Sequence, residues 1–158
     1  MSHLAVRSLI SDTLQSLNLG IQFTYARTTD FNTMRDKQYP FVQLDPLTST
    51  PVRMNYTFNT SWDIGMIFYQ LDQKDGNQDE SAVILDQMSD IVDAFIRKLN
   101  RISNATDIDA KIIIQSENVE ISGFSVTPFI KVTADILTGF ILRFKLETPD
   151  DFNYCTIY

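Results

Sequence analysis

The sequence is poor in the residues that most catalytic and metal sites need. Its 158 residues contain one histidine, His3, and one cysteine, Cys155. A single cysteine excludes an internal disulfide framework and is typical of a reducing compartment. One histidine and one distant cysteine are too few for a tetrahedral zinc site, and they form no catalytic pair in the sequence. We expect His3 to be a solvated residue in the first turn of a helix.

Glycine and long hydrophobic runs are also scarce. The five glycines are scattered along the chain, so the sequence has no glycine-rich loop that would cradle a phosphate. No serine lies in a nucleophile-elbow motif, and no apolar run reaches the ~18 residues of a membrane-spanning helix. The first residues lack the basic and apolar regions of a signal peptide. We therefore expect a chain that is made in the cytoplasm and does not enter a membrane.

Basic residues are the minority charge: 13 lysines and arginines face 20 acidic residues, for a net charge of -7. This balance argues against nonspecific binding to nucleic acid phosphates or acidic membranes as the main activity. It is compatible with a protein that surrounds DNA without gripping it, because an acidic wall lets DNA slide. The acids at 72–80, 107–109 and 150–151 are predicted to be solvated turn residues rather than cation ligands, and 72–80 lacks the spacing of a calcium loop. The sequence predicts no enzyme and no cofactor.

The most informative stretch is 62–99, which has the pattern of a strand, an acidic turn and a long amphipathic helix. From Met66 onward the strand is apolar on both alternating faces, so we predict that it is central in a sheet. Asn77 and Glu80 resemble a capping box at the start of the helix. The apolar side of the helix has three-to-four spacing and consists of Ile84, Leu85, Met88, Ile91, Val92, Phe95, Ile96 and Leu99.

The rest of the chain supplies one more helix and several shorter strands. Prolines flank the strand at 39–46 and predict a sheet edge or strand termini there. The strand at 53–60 either continues into the strand that begins at Trp62 or pairs with it, and a turn is predicted at 48–51. Gly123 indicates a bulge. One helix is predicted at 2–18, and the longer helix is predicted to end near Asn100. The predicted strands lie at 21–25, 39–46, 53–60, 111–115, 117–126 with an extension over 128–134, and 140–147.

The last strand has the cleanest alternation in the sequence. Phe140, Leu142, Phe144 and Leu146 point one way, toward a core, and the residues between them point toward water or a neighbouring subunit. A connection is predicted at 135–139. The order of the elements predicts one α+β domain over residues 1–158: a mainly antiparallel sheet with two helices packed on it.

Two segments are left without a place in this core. The polar stretch 27–38 breaks all periodicity and contains Phe31 and Met34 as isolated apolar residues, so it is either an interaction loop or simply a mobile one. Residues 148–158 form a C-terminal arm, and Pro149 is predicted to end the strand before it. The aromatic and apolar residues of the arm have no obvious core to join. Exposed apolar arms of this kind often dock on a partner.

Several of these stretches together resemble the small neck proteins of tailed bacteriophages, the tail-terminator or tail-completion group. The matching pieces are the first helix, the letters YPFV at 39–42, the strand, acidic turn and helix of 62–99, the letters DILTGF at 135–140 with the strand that follows, and DFNYC at 151–155. The similarity covers most of the chain. It consists of the order of helices and strands together with a few short sequence matches. Similar chains occur in phages of gut Bacteroides-like hosts, including the crAss-like group.

The resemblance implies a structural virion protein. Such proteins assemble as six- or twelve-fold rings at the head–tail junction, contact portal, adaptor, stopper or tail proteins, and leave a channel through which DNA passes without sequence-specific binding. A tail-terminator-like fold is a sheet with helices packed on it. In such a ring we expect the loop at 27–38 to reach a neighbour or the lumen and the arm to dock on an adjacent subunit. The partner-binding residues predicted on this basis are Arg27, Phe31, Met34, Arg35, Phe152, Tyr154, Ile157 and Tyr158.

Two other functions stay open from the sequence. One is a different connector ring in a short-tailed virion, which ring copy number and the axial neighbour would distinguish. The other is a non-viral binding module or enzyme, which predicts a monomer or dimer with a concave pocket lined by convergent polar groups.

Overall fold

The computed structural model describes residues 3–25, 40–54, 57–72, 78–103, 112–114, 120–132, 136–149 and 154–156. Within these ranges the chain forms two helices and eight strands. In chain order they are α1 (His3–Gln15), β1 (Gln22–Tyr25), β2 (Phe41–Leu44), β3 (Thr48–Met54), β4 (Thr57–Leu71), α2 (Gln78–Ser103), β5 (Ile112–Ile114), β6 (Glu120–Val132), β7 (Leu137–Pro149) and β8 (Tyr154–Thr156).

Six of the strands form one mixed, mostly antiparallel sheet, which confirms the predicted α+β class. The strand order is β1-β2-β4-β7-β6, and β3 pairs with the first half of β4 on the side that β2 occupies farther along. Only the β1–β2 pair among the described pairs of this sheet is parallel. The long strand β4 therefore has neighbours on both sides, as its two-faced apolar pattern predicted.

The core lies between one face of the sheet and the two helices. Alternate side chains of β4 and β7, from Trp62 to Phe68 and from Leu142 to Leu146, meet Val6, Leu9 and the apolar side of α2. The predicted stripe of α2 is confirmed at its centre, where Met88, Val92, Phe95 and Leu99 are buried. Each such side chain contributes about 1.5–3 kcal/mol when it leaves water, so this layer is the main source of stability.

The first strands resolve two open questions and correct one prediction. Residues 57–60 continue into the strand that contains Trp62. Residues 53 and 54 belong instead to β3, in which Arg53 pairs with Phe58 of β4. The turn predicted at 48–51 is wrong because these residues belong to β3. Pro51 fits there because β3 pairs with β4 alone among the described strands, and an edge strand tolerates a missing N–H. By contrast, β2 lies inside the sheet, so its prolines mark strand termini and not a sheet edge.

The last strands of the sheet fit the prediction at one glycine and depart from it at another. Gly123 has a φ of 69° and lies where the β6–β7 register shifts between Ser122 and Ser125, which confirms the predicted bulge. The predicted connection at 135–139 is wrong for 137–139, since β7 already begins at Leu137 and carries Gly139 inside the sheet, opposite Tyr69.

The helix boundaries also differ from prediction. The first helix ends at Gln15, ahead of the expected residue 18, because Asn18 (φ 52°) and Gly20 (φ 64°) adopt left-handed backbone conformations that cannot continue a helix. The second helix runs to Ser103, beyond the predicted end at Asn100. The proposed cap residue Asn77 lies outside the described residues.

A buried carboxylate joins the start of α2 to the sheet. Asp72 follows β4 directly, and its Oδ2 accepts hydrogen bonds from Ser81 Oγ (2.7 Å) and Thr138 Oγ1 (2.6 Å). The Asp72 amide donates to the Ile136 carbonyl (2.9 Å). One residue thus connects β4, β7 and the first turn of α2, which fixes the helix on the sheet.

Candidate functional site

The face of the sheet opposite the helices is the candidate functional surface. Half of it is an apolar cluster in which Phe41, Ile67, Tyr69 and Leu137 are buried, with Phe129 at its margin. The Tyr69 ring lies 6.2 Å from the Phe41 ring and 5.7 Å from the Phe129 ring, measured between centroids. These aromatic contacts stabilise the apolar half of the face. The other half carries charged side chains.

That other half is a row of ionic side chains, which we call the charged strip. Because side chains alternate along a strand, the residues of β7 that do not enter the core point to this face with their neighbours in β4 and β6. Lys145 lies directly opposite Asp63 in the β4–β7 register, an attractive cross-strand pair. The members of the charged strip are Asp63, Glu120, Arg143, Lys145 and Glu147.

The two ends of the charged strip differ in charge. Both basic residues, exposed Arg143 and Lys145, lie at one end, which we call the positive end, and Asp63 lies there opposite Lys145. At the other end Glu120 and Glu147 lie opposite each other across β6 and β7, and like charges in this position repel. Asn59 Nδ2 donates a hydrogen bond to Glu147 Oε1 (3.1 Å), which holds that carboxylate in place. The acidic end is therefore suited to a cationic partner.

An open cleft of about 320 Å³ lies at the positive end of the charged strip. Gly65 leaves room at its floor, since a Cβ there would lie 3.2 Å from Asp45 Oδ2. Asp45 is fixed over Gly65 by two hydrogen bonds: its amide donates to the Gly65 carbonyl (2.9 Å), and Gln43 Nε2 donates to its Oδ1 (3.3 Å). The remaining lining comes mainly from Asp63, Gly123, Arg143 and Lys145.

The chemistry of the cleft is that of ion pairing. It offers two carboxylates, a guanidinium and an ammonium group on a shallow surface, and the described residues of its lining include no histidine, cysteine, serine or threonine. Such a set is suited to ion pairs with charged side chains on a hydrated surface. Sequence reasoning did place Arg143 and Lys145 on the outward face, but it missed Asp45, for which the only signal was the small residue Gly65 on the neighbouring strand.

Most of the predicted partner-binding residues lie outside the described residues. This holds for Arg27, Phe31, Met34 and Arg35 of the loop and for Phe152, Ile157 and Tyr158 of the arm. Their role stays a prediction.

The backbone of Tyr154 alone is placed among them. It belongs to β8, which pairs antiparallel with β5, so that Tyr154 lies opposite Ile114. This two-stranded ribbon lies beside the helices, β8 near α1 and β5 near α2. Part of the arm thus pairs within the chain, and it does so outside the six-stranded sheet.

The histidine and the acidic residues that the sequence analysis considered for catalysis or metal binding make structural contacts. His3 is exposed, and its ring meets the edge of Trp62 at 4.8 Å between centroids. Asp72, from the acidic stretch 72–80, is buried in the network described above, so the prediction that it is a solvated turn residue is wrong. Across the described ranges, no three histidine, cysteine or acidic residues are grouped so that they would hold a metal ion. None of the helices in that part of the chain is long and apolar enough to cross a membrane.

Comparison with known proteins adds no family to these observations: no protein-family model matches the chain, and none of the curated proteins matches its sequence.

Proposed function

We propose that the chain is a structural subunit of a ring at the head–tail junction of a tailed bacteriophage, where it terminates the tail and leaves a channel for DNA. The observation that carries the proposal is the one-sided sheet: both described helices cover one face, and the opposite face presents the charged strip beside the edge strand β6. The resemblance of the sequence to neck proteins supplies the location in a virion.

A ring needs two different surfaces on each subunit that fit each other. The charged strip offers surfaces of both signs, with Arg143 and Lys145 at one end and the facing pair Glu120 and Glu147 at the other. The repulsion within that acidic pair falls when a cationic side chain of a neighbour approaches. Contacts of this kind repeat around a closed ring, so they support assembly without any ligand or cofactor.

The overall charge suits a channel for DNA. With a net charge of -7, the subunit does not attract the phosphate backbone strongly, so DNA passes through the ring without being held. Sequence-specific binding is not part of the proposal. A connector ring of a short-tailed virion uses the same properties, and the axial neighbours that copurify with the protein separate the two.

A test combines imaging with a matched pair of charge variants. Electron micrographs of the purified protein are expected to contain closed rings with a central hole. Arg143→Glu reverses the positive end of the charged strip and is expected to abolish the rings with the thermal unfolding midpoint unchanged. Arg53→Glu makes the same charge change on exposed β3, away from the strip, and is expected to keep them. Equal behaviour of the two variants would contradict the proposed contact, and particles that never close would contradict the ring.

A further inference from the structure

The outward side of α2 carries charges of opposite sign in its two halves. The helix has 26 residues and is therefore about 39 Å long. Exposed acids occupy its first part, and basic residues begin only after Ala94. The residues concerned are Asp79, Glu80, Asp86, Asp90 and Asp93 in the first part, and Arg97, Lys98 and Arg101 in the second.

Five of these residues form one straight stripe. At 100° per residue, Asp79, Asp86, Asp90, Arg97 and Arg101 fall within an arc of about 60°, and all five are exposed. The arc lies on the opposite side of the helix from buried Met88 and its companions in the core. The stripe is thus the outermost part of this layer of the domain.

The helix dipole accounts only for the charged residues at the two ends of α2, which are Asp79, Glu80 and Arg101. Acidic residues stabilise a helix N-terminus and basic residues a C-terminus, but the effect fades within the first and last turn. Asp86, Asp90 and Asp93 lie two to four turns into α2, and Arg97 lies more than one turn before its end. The dipole therefore does not explain the charges in the middle of the helix.

We propose that α2 binds α2 of a second copy of this chain, antiparallel, across a two-fold axis between Asp93 and Ala94. The spacing carries the inference: the midpoint of 86 and 101 is also the midpoint of 90 and 97, and it falls at this place. A two-fold axis there puts Asp86 opposite Arg101 and Asp90 opposite Arg97 of the other copy. Symmetry repeats both pairs, so one contact contains four ion pairs.

The same stripe discriminates against other arrangements. A parallel pairing in register would put aspartate opposite aspartate and arginine opposite arginine, and like charges across an interface are strongly unfavourable. Half-buried Ala94 lies next to the axis, where a small side chain permits the close approach of two helices, about 8–10 Å between axes. Asp93 lies beside its own symmetry mate, which limits the strength of the contact.

The contact is expected to be weak and dependent on salt. Exposed ion pairs contribute little individually, and their attraction is screened over about 10 Å at 0.1 M salt. The contact is two-fold, whereas a ring closes through unlike surfaces, so it is a separate interface from the one proposed for the ring. It does not depend on the proposed function.

Two double variants of equal net charge test the register. Asp86→Arg with Arg101→Asp exchanges the members of one proposed pair and is expected to dimerise like the native protein. Asp86→Arg with Arg97→Asp contains the same kinds of residues but puts arginine opposite arginine and aspartate opposite aspartate. We expect its dimer dissociation constant to rise by on the order of tenfold or more. Sedimentation equilibrium at about 50 mM salt measures both, with circular dichroism to check folding.

Two further measurements complete the test. Salt at about 500 mM is expected to dissociate the native pair, and Asp93→Asn is expected to strengthen it by removing the repulsion at the axis. If the protein forms rings, the matched and mismatched variants are expected to differ twofold in copy number. Equal association of the two double variants, or a native protein without a two-fold pair at low salt, would overturn the proposal.

Discussion

Replacement of Gly139 by alanine tests the packing of the two central strands. Gly139 lies in β7 opposite Tyr69 of β4. A Cβ at this position would lie well inside van der Waals distance of the Phe68 carbonyl oxygen, 2.9 Å from the Phe68 carbonyl carbon and 3.3 Å from Phe129 Cζ. Because a backbone carbonyl cannot rotate away, the strands have to separate at this pair.

The expected loss of stability is the sum of two destabilising terms, reduced by a smaller stabilising term. Overpacking in a rigid core costs about 1–3 kcal/mol, and each ladder hydrogen bond that is lost costs about 1 kcal/mol more. Alanine restricts the unfolded chain and returns about 0.4–1 kcal/mol. We expect Gly139→Ala to lower the free energy of unfolding by about 3 kcal/mol, which for a chain of this size lowers the thermal midpoint by about 10 °C.

Gly65→Ala is the matched control. Its Cβ would meet Asp45 Oδ2 at 3.2 Å. A hydrogen bond of 3.3 Å from Gln43 holds this side chain, so a shift of a few tenths of an ångström relieves the contact, and the expected change is below about 1 kcal/mol. Urea unfolding followed by circular dichroism measures both variants. If Gly139→Ala were as stable as Gly65→Ala, the close approach of β7 to β4 at Phe68 would be refuted.

Three further predictions concern the network at α2, the buried face of β7 and the arm. Asp72→Ala removes the acceptor for Ser81 and Thr138 and is expected to destabilise the protein by about 3 kcal/mol, since hydrogen bonds to a carboxylate contribute about 1.5–3 kcal/mol each. Asp72→Asn keeps an acceptor and is expected to lose less stability in the same urea titration. Phe144→Asp places an unpaired charge at a side chain 3% exposed and is expected to unfold the domain, and a native circular dichroism spectrum would contradict this orientation of β7. Deletion of 151–158 removes β8, which lies outside the six-stranded sheet, so the domain is expected to stay folded but to lose the ability to assemble. A large fall in the thermal midpoint would show that the arm belongs to the core.

The sequence predicted the central layer of this fold because its signals there are periodic. The two-faced apolar strand after Trp62, the stripe of α2 and the alternation from Phe140 to Leu146 each follow from burial on a repeating geometry. These patterns suffice for the class of fold and for the outward position of Arg143 and Lys145.

What the sequence did not predict depends on contacts between distant segments. Pro51 is acceptable in β3 because no strand of the described ranges pairs with the other side of β3, which local composition does not reveal. Gly139 looked like a turn residue, whereas its small size serves the approach of Phe68 from another strand. The cleft arises in the same way, since Asp45 and Gly65 are adjacent only after β2 and β4 pair.

The account depends most on self-assembly, and the most direct measurement is the mass of the native protein in solution. Native mass spectrometry of the purified chain, over a range of concentrations and at low salt, gives the number of copies in each particle. The ring at the head–tail junction predicts a discrete species of six or twelve copies. Particles of one or two copies at every concentration would contradict the ring, although a pair without a ring would still agree with the two-fold contact through α2.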